Sequence, residues 1–237
     1  MRLGQALSAF VATGAVLFGG ALVDSVVLLN GNRAEAADKA VAVVSLFNGQ
    51  DLSGWTTFID PARQDVRPDD IWRVEDGVIY CRGHVNGYLL TEDEYENYIL
   101  RLEWRWGDEV ARGRNSGVFV HTVGENKIWP KAVEAQLMAN HAGDFWLVDG
   151  AKLSIDESRR DPNSARHYFR MDKGDVEKPL GEWNQYEITC RGDRIELVVN
   201  GTLVNVGTNS ELTRGRILLQ SEGAEIHFRN IELEPLD

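Results

Sequence analysis

From residue 41 onward the chain is cut repeatedly by dipeptides that favour tight reversals: Asn48-Gly49, Asp76-Gly77, Asn86-Gly87, Asp149-Gly150 and Asn200-Gly201. Asn-Gly and Asp-Gly tolerate the successive positive φ angles of a type I′ turn, whose twist matches that of two antiparallel strands. Between these points lie alternating apolar and polar runs, which predict strands at Ile71–Cys81, Tyr98–Trp106, Gly117–His121, Val133–Met138, Trp183–Arg191, Arg194–Asn200, Gly215–Gln220 and Glu225–Glu234. Only Thr91–Asn97 reads as briefly helical, and no long amphipathic helix follows. Many antiparallel strands almost without helices predict an all-β, two-sheet sandwich of jelly-roll type. No internal repeat is present, which argues against a propeller or solenoid. Arg191-Gly192-Asp193 spells an adhesion tripeptide, but its place between two alternating strands makes it a turn.

Ahead of that pattern, Arg2 precedes an apolar stretch from Ala6 to Leu29, and Ala34-Glu35-Ala36 supplies a small-x-small site. These features predict an export signal over residues 1–36, one domain over residues 37–237, and a periplasmic or secreted protein. The alternative is a membrane anchor, for which Asp24 would be costly at mid-bilayer. No cysteine lies near the cleavage region, so no lipid anchor is expected. The two cysteines, Cys81 and Cys190, have no Cys-x-x-Cys spacing, which excludes zinc-ribbon and thioredoxin chemistry; a bridge between them and two buried thiols both fit. With 25 basic against 37 acidic residues the formal charge is −12, which repels phosphate backbones, so nucleic acid is not an expected partner.

Side chains alternate across a strand, so each strand divides into two faces. In Tyr98–Trp106, Leu100, Leu102, Trp104 and Trp106 oppose Ile99, Arg101, Glu103 and Arg105. Val118 and Val120 should face inward, with Phe119 and His121 opposite; likewise Val133, Ala135 and Leu137 oppose Glu134, Gln136 and Met138. Leu102, Trp104, Val118, Val120, Ala135, Leu137, Ile195, Leu197, Ile217 and Leu219 are the expected core. The polar faces fit an ordinary solvated sheet surface. Yet they mix carboxylate, amide, imidazole and guanidinium, and Phe119, Trp129 and Trp146 stand among them. That mixture suits a pyranose, with hydroxyls at its rim and C–H on its faces. The loop Asn140-His141-Ala142-Gly143-Asp144-Phe145-Trp146 is expected to close one end of the groove.

Seven segments carry a resemblance: Phe47-Asn48-Gly49-Gln50-Asp51-Leu52-Ser53-Gly54-Trp55, Trp72-Arg73-Val74-Glu75-Asp76-Gly77, Leu102-Glu103-Trp104-Arg105, Asn115-Ser116-Gly117-Val118-Phe119, Glu134-Ala135-Gln136, Gly181-Glu182-Trp183-Asn184 and Phe228-Arg229-Asn230-Ile231. In this order they resemble the 3-keto-disaccharide hydrolase family of exported bacterial proteins, from about Phe47 to Leu236. The resemblance implies the fold of concanavalin A-like lectins and glucanases. It also implies cleavage of glycosides already oxidised to a ketone at C3, as net hydrolysis or by elimination. Val120-His121 stands where many members carry Arg, so substrate preference is expected to differ.

A retaining glycosidase of this fold would carry two carboxylates on one strand, whereas Glu134-x-Gln136 continues as Met138, Ala139 and Asn140. A C3 ketone relaxes that requirement, because it acidifies the C2 proton and lets the aglycone leave by elimination. Glu134 or His121 is the candidate base, with Glu103 as a third catalytic candidate. Arg105, Gln136 or a bound cation would polarise the ketone, and Asn115, His141, Asp144 and Trp146 complete the substrate-binding set. A divalent cation is possible through His121, His141, Glu103, Glu134 and Asp144, although no short metal-ligand motif exists. The expected partner is a small glycoside or oligosaccharide; the alternative is a non-catalytic, lectin-like binding module.

Overall fold

The computed structural model describes residues 42–107, 113–171 and 174–237; the expected export segment, residues 1–36, lies outside the described residues. In chain order the strands are β1 (Val44–Ser45), β2 (Trp55–Ile59), β3 (Trp72–Glu75), β4 (Val78–Cys81), β5 (Gly87–Thr91), β6 (Tyr98–Trp106), β7 (Gly117–Val123), β8 (Lys131–Gln136), β9 (Phe145–Val148), β10 (Arg160–Asp161), β11 (Ser164–Tyr168), β12 (Asn184–Arg191), β13 (Arg194–Val199), β14 (Thr202–Gly207), β15 (Arg216–Ser221) and β16 (Ile226–Pro235). They form two antiparallel sheets. The back sheet runs β14-β13-β12-β6-β16-β4-β3, with β1 on β16, and the front sheet runs β10-β11-β9-β8-β7-β15-β5-β2. This is the two-sheet jelly roll that the alternation predicts.

Positive φ at both residues of Asp76-Gly77, Asp149-Gly150 and Asn200-Gly201 gives the expected primed turns. The first divides the predicted strand Ile71–Cys81 into the hairpin β3–β4. Asn86-Gly87 is different: Gly87 is already strand, and a Cβ there would stand 2.4 Å from the Phe58 carbonyl oxygen, so this glycine permits β2 and β5 to approach. The Thr91–Asn97 helix does not form. Thr91 ends β5, Tyr95 bridges to Gly215, and the described α-helix is the single turn Pro68–Ile71, opened by its proline and by the Asp70 carboxylate accepting the Arg67 N–H, and closed by the Trp72 N–H on the Pro68 carbonyl.

All ten expected core residues are buried between the sheets. Cys81 and Cys190 lie in the same core as free thiols, so the bridge is not formed. Burial pushes both up to about 12.

Candidate functional site

The outer face of the front sheet is unusual for a solvated surface. Tyr88, Leu90, Phe119, Ala132, Val148 and Leu218 form a second apolar cluster there, and Phe58, Trp129 and Trp146 pack on it. Strand β5 is therefore buried on both faces, which is why Gly-Tyr-Leu-Leu-Thr lacks the alternation of a half-exposed strand. Register then sets a row of side chains across this floor: Phe119 pairs with Glu134, Glu134 with Trp146, and Trp146 with His167. Directly paired residues share a face, so Glu134 sits between two aromatic rings. Around it Asn115, Gln136, Arg166, Gln220 and Glu222 line a cavity of about 220 Å³.

Glu134 is 6% exposed, and its carboxyl lies over Gly117, where a Cβ would stand 2.4 Å from Oε1. The glycine of Asn115-Ser116-Gly117 thus makes room for the acid. Burial holds Glu134 well above the usual carboxylate range; the Glu222 charge pushes the same way and Arg166 opposes both. Burial also raises Glu222. Two carboxyls with strengthened hold on their protons therefore share one groove. Asn115 Nδ2 donates to Glu222 Oε2 at 2.8 Å, while Asn115 Oδ1 and Gln220 Oε1 are buried acceptors with no partner among the described residues. Gln136 Oε1 accepts from the Leu137 and Met138 N–H groups, both at 2.8 Å, leaving its amide nitrogen as the end free for a ligand. Donors and acceptors of this kind around aromatic planes match the rim and faces of a sugar ring.

Glu134, Asn115, Gln136 and Trp146 are thus brought together as the sequence predicts. Glu103 and Arg105 are not. Both are on β6 of the back sheet, on the face turned away from the core that Leu102, Trp104 and Trp106 enter, so the whole sandwich separates them from Glu134. Glu103 accepts from Arg229 Nε at 2.6 Å, Arg105 donates to His227 Nδ1 at 3.2 Å, and both guanidiniums lie over the Trp183 ring.

His121 is also displaced. After the Val120–Val133 pair the register next pairs Val123 with Lys131, a β-bulge, and His121 sits in it at φ 53°. The extra residue reverses the alternation and sends the ring between the sheets, edge-on to Tyr98 at 5.7 Å. Its Nδ1–H donates to the Leu212 carbonyl at 2.9 Å, and burial brings its pKa down to about 4. The ring is locked inside the core, so His121 lies outside the Glu134 groove.

His141 and Asp144 stand at the groove's end, and their partner is His167, which the sequence reading missed. Asp144 Oδ2 lies 2.9 Å from His141 Nδ1 and 2.8 Å from His167 Nε2, while Asp144 Oδ1 accepts the Arg170 N–H at 2.7 Å. The expected cation cluster therefore lacks His121, Glu103 and Glu134 and consists of His141, Asp144 and His167. Burial pulls His167 down in pKa, but its bonds to Asp144 and Asp161 outweigh this and raise it. The His167 ring stacks on Trp146 at 4.4 Å and 9°.

Glu222 and Arg166 were missed for different reasons. The predicted strand Gly215–Gln220 stops two residues short of Glu222, although Leu218, Gln220 and Glu222 continue one alternating face. Arg166 lies on β11, a short strand one in from the sheet's edge with no apolar alternation to reveal it.

A jelly roll with an aromatic floor and converging acids, amides and guanidinium belongs to the carbohydrate-active class of concanavalin A-like lectins and glucanases. The chain is a member of the 3-keto-α-glucoside-1,2-lyase-like domain family, whose model matches residues 42–234. It is similar to a crystal structure from Parabacteroides distasonis ATCC 8503 described as a candidate glycosyl hydrolase: 25% identity, TM-score 0.60, covering 84% of this chain and 96% of that one. The fold is shared with the carbohydrate-binding module CBM66 from Bacillus subtilis, at 13% identity and TM-score 0.54 over 76% of this chain and 95% of that one. It is shared as well with SCLam, a non-specific endo-β-1,3(4)-glucanase, at 10% identity and TM-score 0.51 over 81% and 89%. No curated protein matches the chain.

Proposed function

We propose that the protein is an exported enzyme that cleaves 3-keto-glycosides by elimination across C1–C2, with Glu134 as the base. The observation that carries this reading is the pair Glu134 and Glu222 in one aromatic-floored groove, each with its pKa raised. A C3 ketone makes the C2 proton removable. The Glu134 carboxylate takes that proton and the C2–H electrons pass into the C2–C3 enolate; as the enolate collapses back to the ketone the C1–C2 double bond forms and the C1–O bond breaks. Glu222, whose hold on its proton burial strengthens, gives that proton to the departing oxygen. Arg166 stands on the same cavity and supplies positive charge for the enolate oxygen. A raised pKa suits both roles: it strengthens Glu134 as a base when ionised and keeps Glu222 available as an acid. Addition of water to the resulting enone would complete net hydrolysis.

The test is incubation of purified protein with 3-keto-glucosides and their unoxidised parents, following aglycone release and enone absorbance. Cleavage confined to the keto sugars, with transient enone, is the expected result. Equal cleavage of the parents would overturn the elimination chemistry. Binding without turnover of either would make the protein a lectin-like module.

A further inference from the structure

We propose that His141, Asp144 and His167 form a binding site for a divalent transition metal, with His141 Nδ1, Asp144 Oδ2 and His167 Nε2 as its ligands. The three atoms lie within 4.8 Å of one another, and Asp144 Oδ2 is 2.9 and 2.8 Å from the two nitrogens. Spacings near 3 Å are the edges of a coordination polyhedron whose metal–ligand bonds are about 2.0–2.2 Å. Two imidazoles and one carboxylate are a borderline-soft set that suits zinc or cobalt better than magnesium or calcium.

The surroundings match this role. His167 turns its other nitrogen to Asp161, with Nδ1 2.9 Å from Oδ2. That second carboxylate fixes the tautomer with the proton on Nδ1, which leaves the Nε2 lone pair aimed at Asp144. The 2.8 Å between Nε2 and Asp144 Oδ2 takes one electrophile, a proton in an ordinary hydrogen bond or a metal ion in its place. The other Asp144 oxygen is fixed by the Arg170 N–H at 2.7 Å. The Arg170 guanidinium is turned to the Ala142 and Gly174 carbonyls and stands 3.7 Å from Glu177, which offsets its charge. His141 and Asp144 are held by a turn in which Gly143 has φ 95° and a Cβ would meet Val204 at 2.3 Å. A cavity of about 270 Å³, lined by Asn140, His141, Asp144, Phe169 and Arg170, opens beside two of the three ligands and would leave the metal an exchangeable position. Because His167 stacks on Trp146, a metal on Nε2 would also fix the indole that walls the Glu134 groove.

The site is tested without any assumption about activity. Tag-free protein is stripped with chelator, loaded with Zn2+ or Co2+, desalted and assayed by elemental analysis and calorimetry. The expected result is one equivalent retained, with visible ligand-field bands for Co2+. His141→Ala, which removes a partly exposed ring, should lower affinity by at least about 10²-fold, and Asp161→Asn by about 10–100-fold. His84→Ala, at an exposed histidine elsewhere, should change nothing. No retained metal in the folded wild type would overturn the proposal, the electrophile then being a proton. Retention that is indifferent to His141→Ala and Asp161→Asn would overturn it equally.

Discussion

His121 gives a prediction whose size follows from its surroundings. The ring is fully buried and its pKa is lowered from 6.5 to about 4, chiefly by burial. In the unfolded chain it takes a proton as pH falls through about 6.5, whereas in the folded protein it stays neutral until about 4. The unfolded state therefore binds more protons across this window, and stability that is present above pH 6.5 is lost as pH falls. At about 1.4 kcal/mol per pH unit, the loss reaches about 2.5 kcal/mol by pH 4.5. The perturbation is His121→Asn, because Asn accepts a positive φ and keeps a donor for the Leu212 carbonyl. At pH 7.5 the variant should be less stable by about 1–3 kcal/mol, the cost of the space the ring leaves. That deficit should shrink steadily towards pH 4.5, since Asn does not titrate and all other groups cancel in the difference. Urea unfolding followed by tryptophan fluorescence from pH 7.5 to 4.5 measures it, and turnover should be nearly unaltered. A deficit independent of pH would refute the burial argument, and loss of turnover in a folded variant would restore His121 as the base.

Three further predictions concern the groove and the core. Glu134→Gln should reduce turnover of a 3-keto-glucoside by at least about 10²-fold. The same substitution should raise stability: a carboxyl with raised pKa costs the folded state as pH rises above 4.5, so unfolding curves should coincide below that pH and favour Gln above it. Gly117→Ala should displace the Glu134 carboxyl, costing about 1–3 kcal/mol by overpacking and most of the activity; unfolding curves and kinetics of the variant check both. Cys81 and Cys190 should be silent to Ellman's reagent in the native protein and give two thiols on unfolding in denaturant without reductant; absence of those thiols would mean that they are bridged.

The legible part of this protein is the part governed by local alternation. Tyr98–Trp106 is predicted and observed with the same limits, and the ten core residues follow from a period of two. The period names a face only relative to the same strand, however. It cannot say which of two sheets a strand joins, so Glu103 and Glu134 look equivalent in sequence while the sandwich lies between them. It also fails at one extra residue: the bulge after Val120 turns His121 inward although its neighbours read correctly. The cysteines could not be resolved either, since two buried positions in one sheet fit a pair of thiols as well as a bridge.

The residues recovered only from the structure share a cause, which bears on how the site is built. Glu222, Arg166 and His167 come from strands far from β8 in sequence, and each reaches the Glu134 row through front-sheet pairing. A single strand carrying two acids would fix their separation along one backbone. Here β8 supplies Glu134 opposite Phe119 and the end of β15 leads to Glu222 opposite Asn115, so their separation is set across three paired strands. The acids are held instead by what surrounds them: Gly117 beneath Glu134, and the Asn115 amide on Glu222. Both holding residues lie in Asn115-Ser116-Gly117, one short segment leading into the central strand β7. That placement gives the segment a physical reason for its composition. The glycine clears the space that one acid occupies, and the asparagine supplies the donor that orients the other.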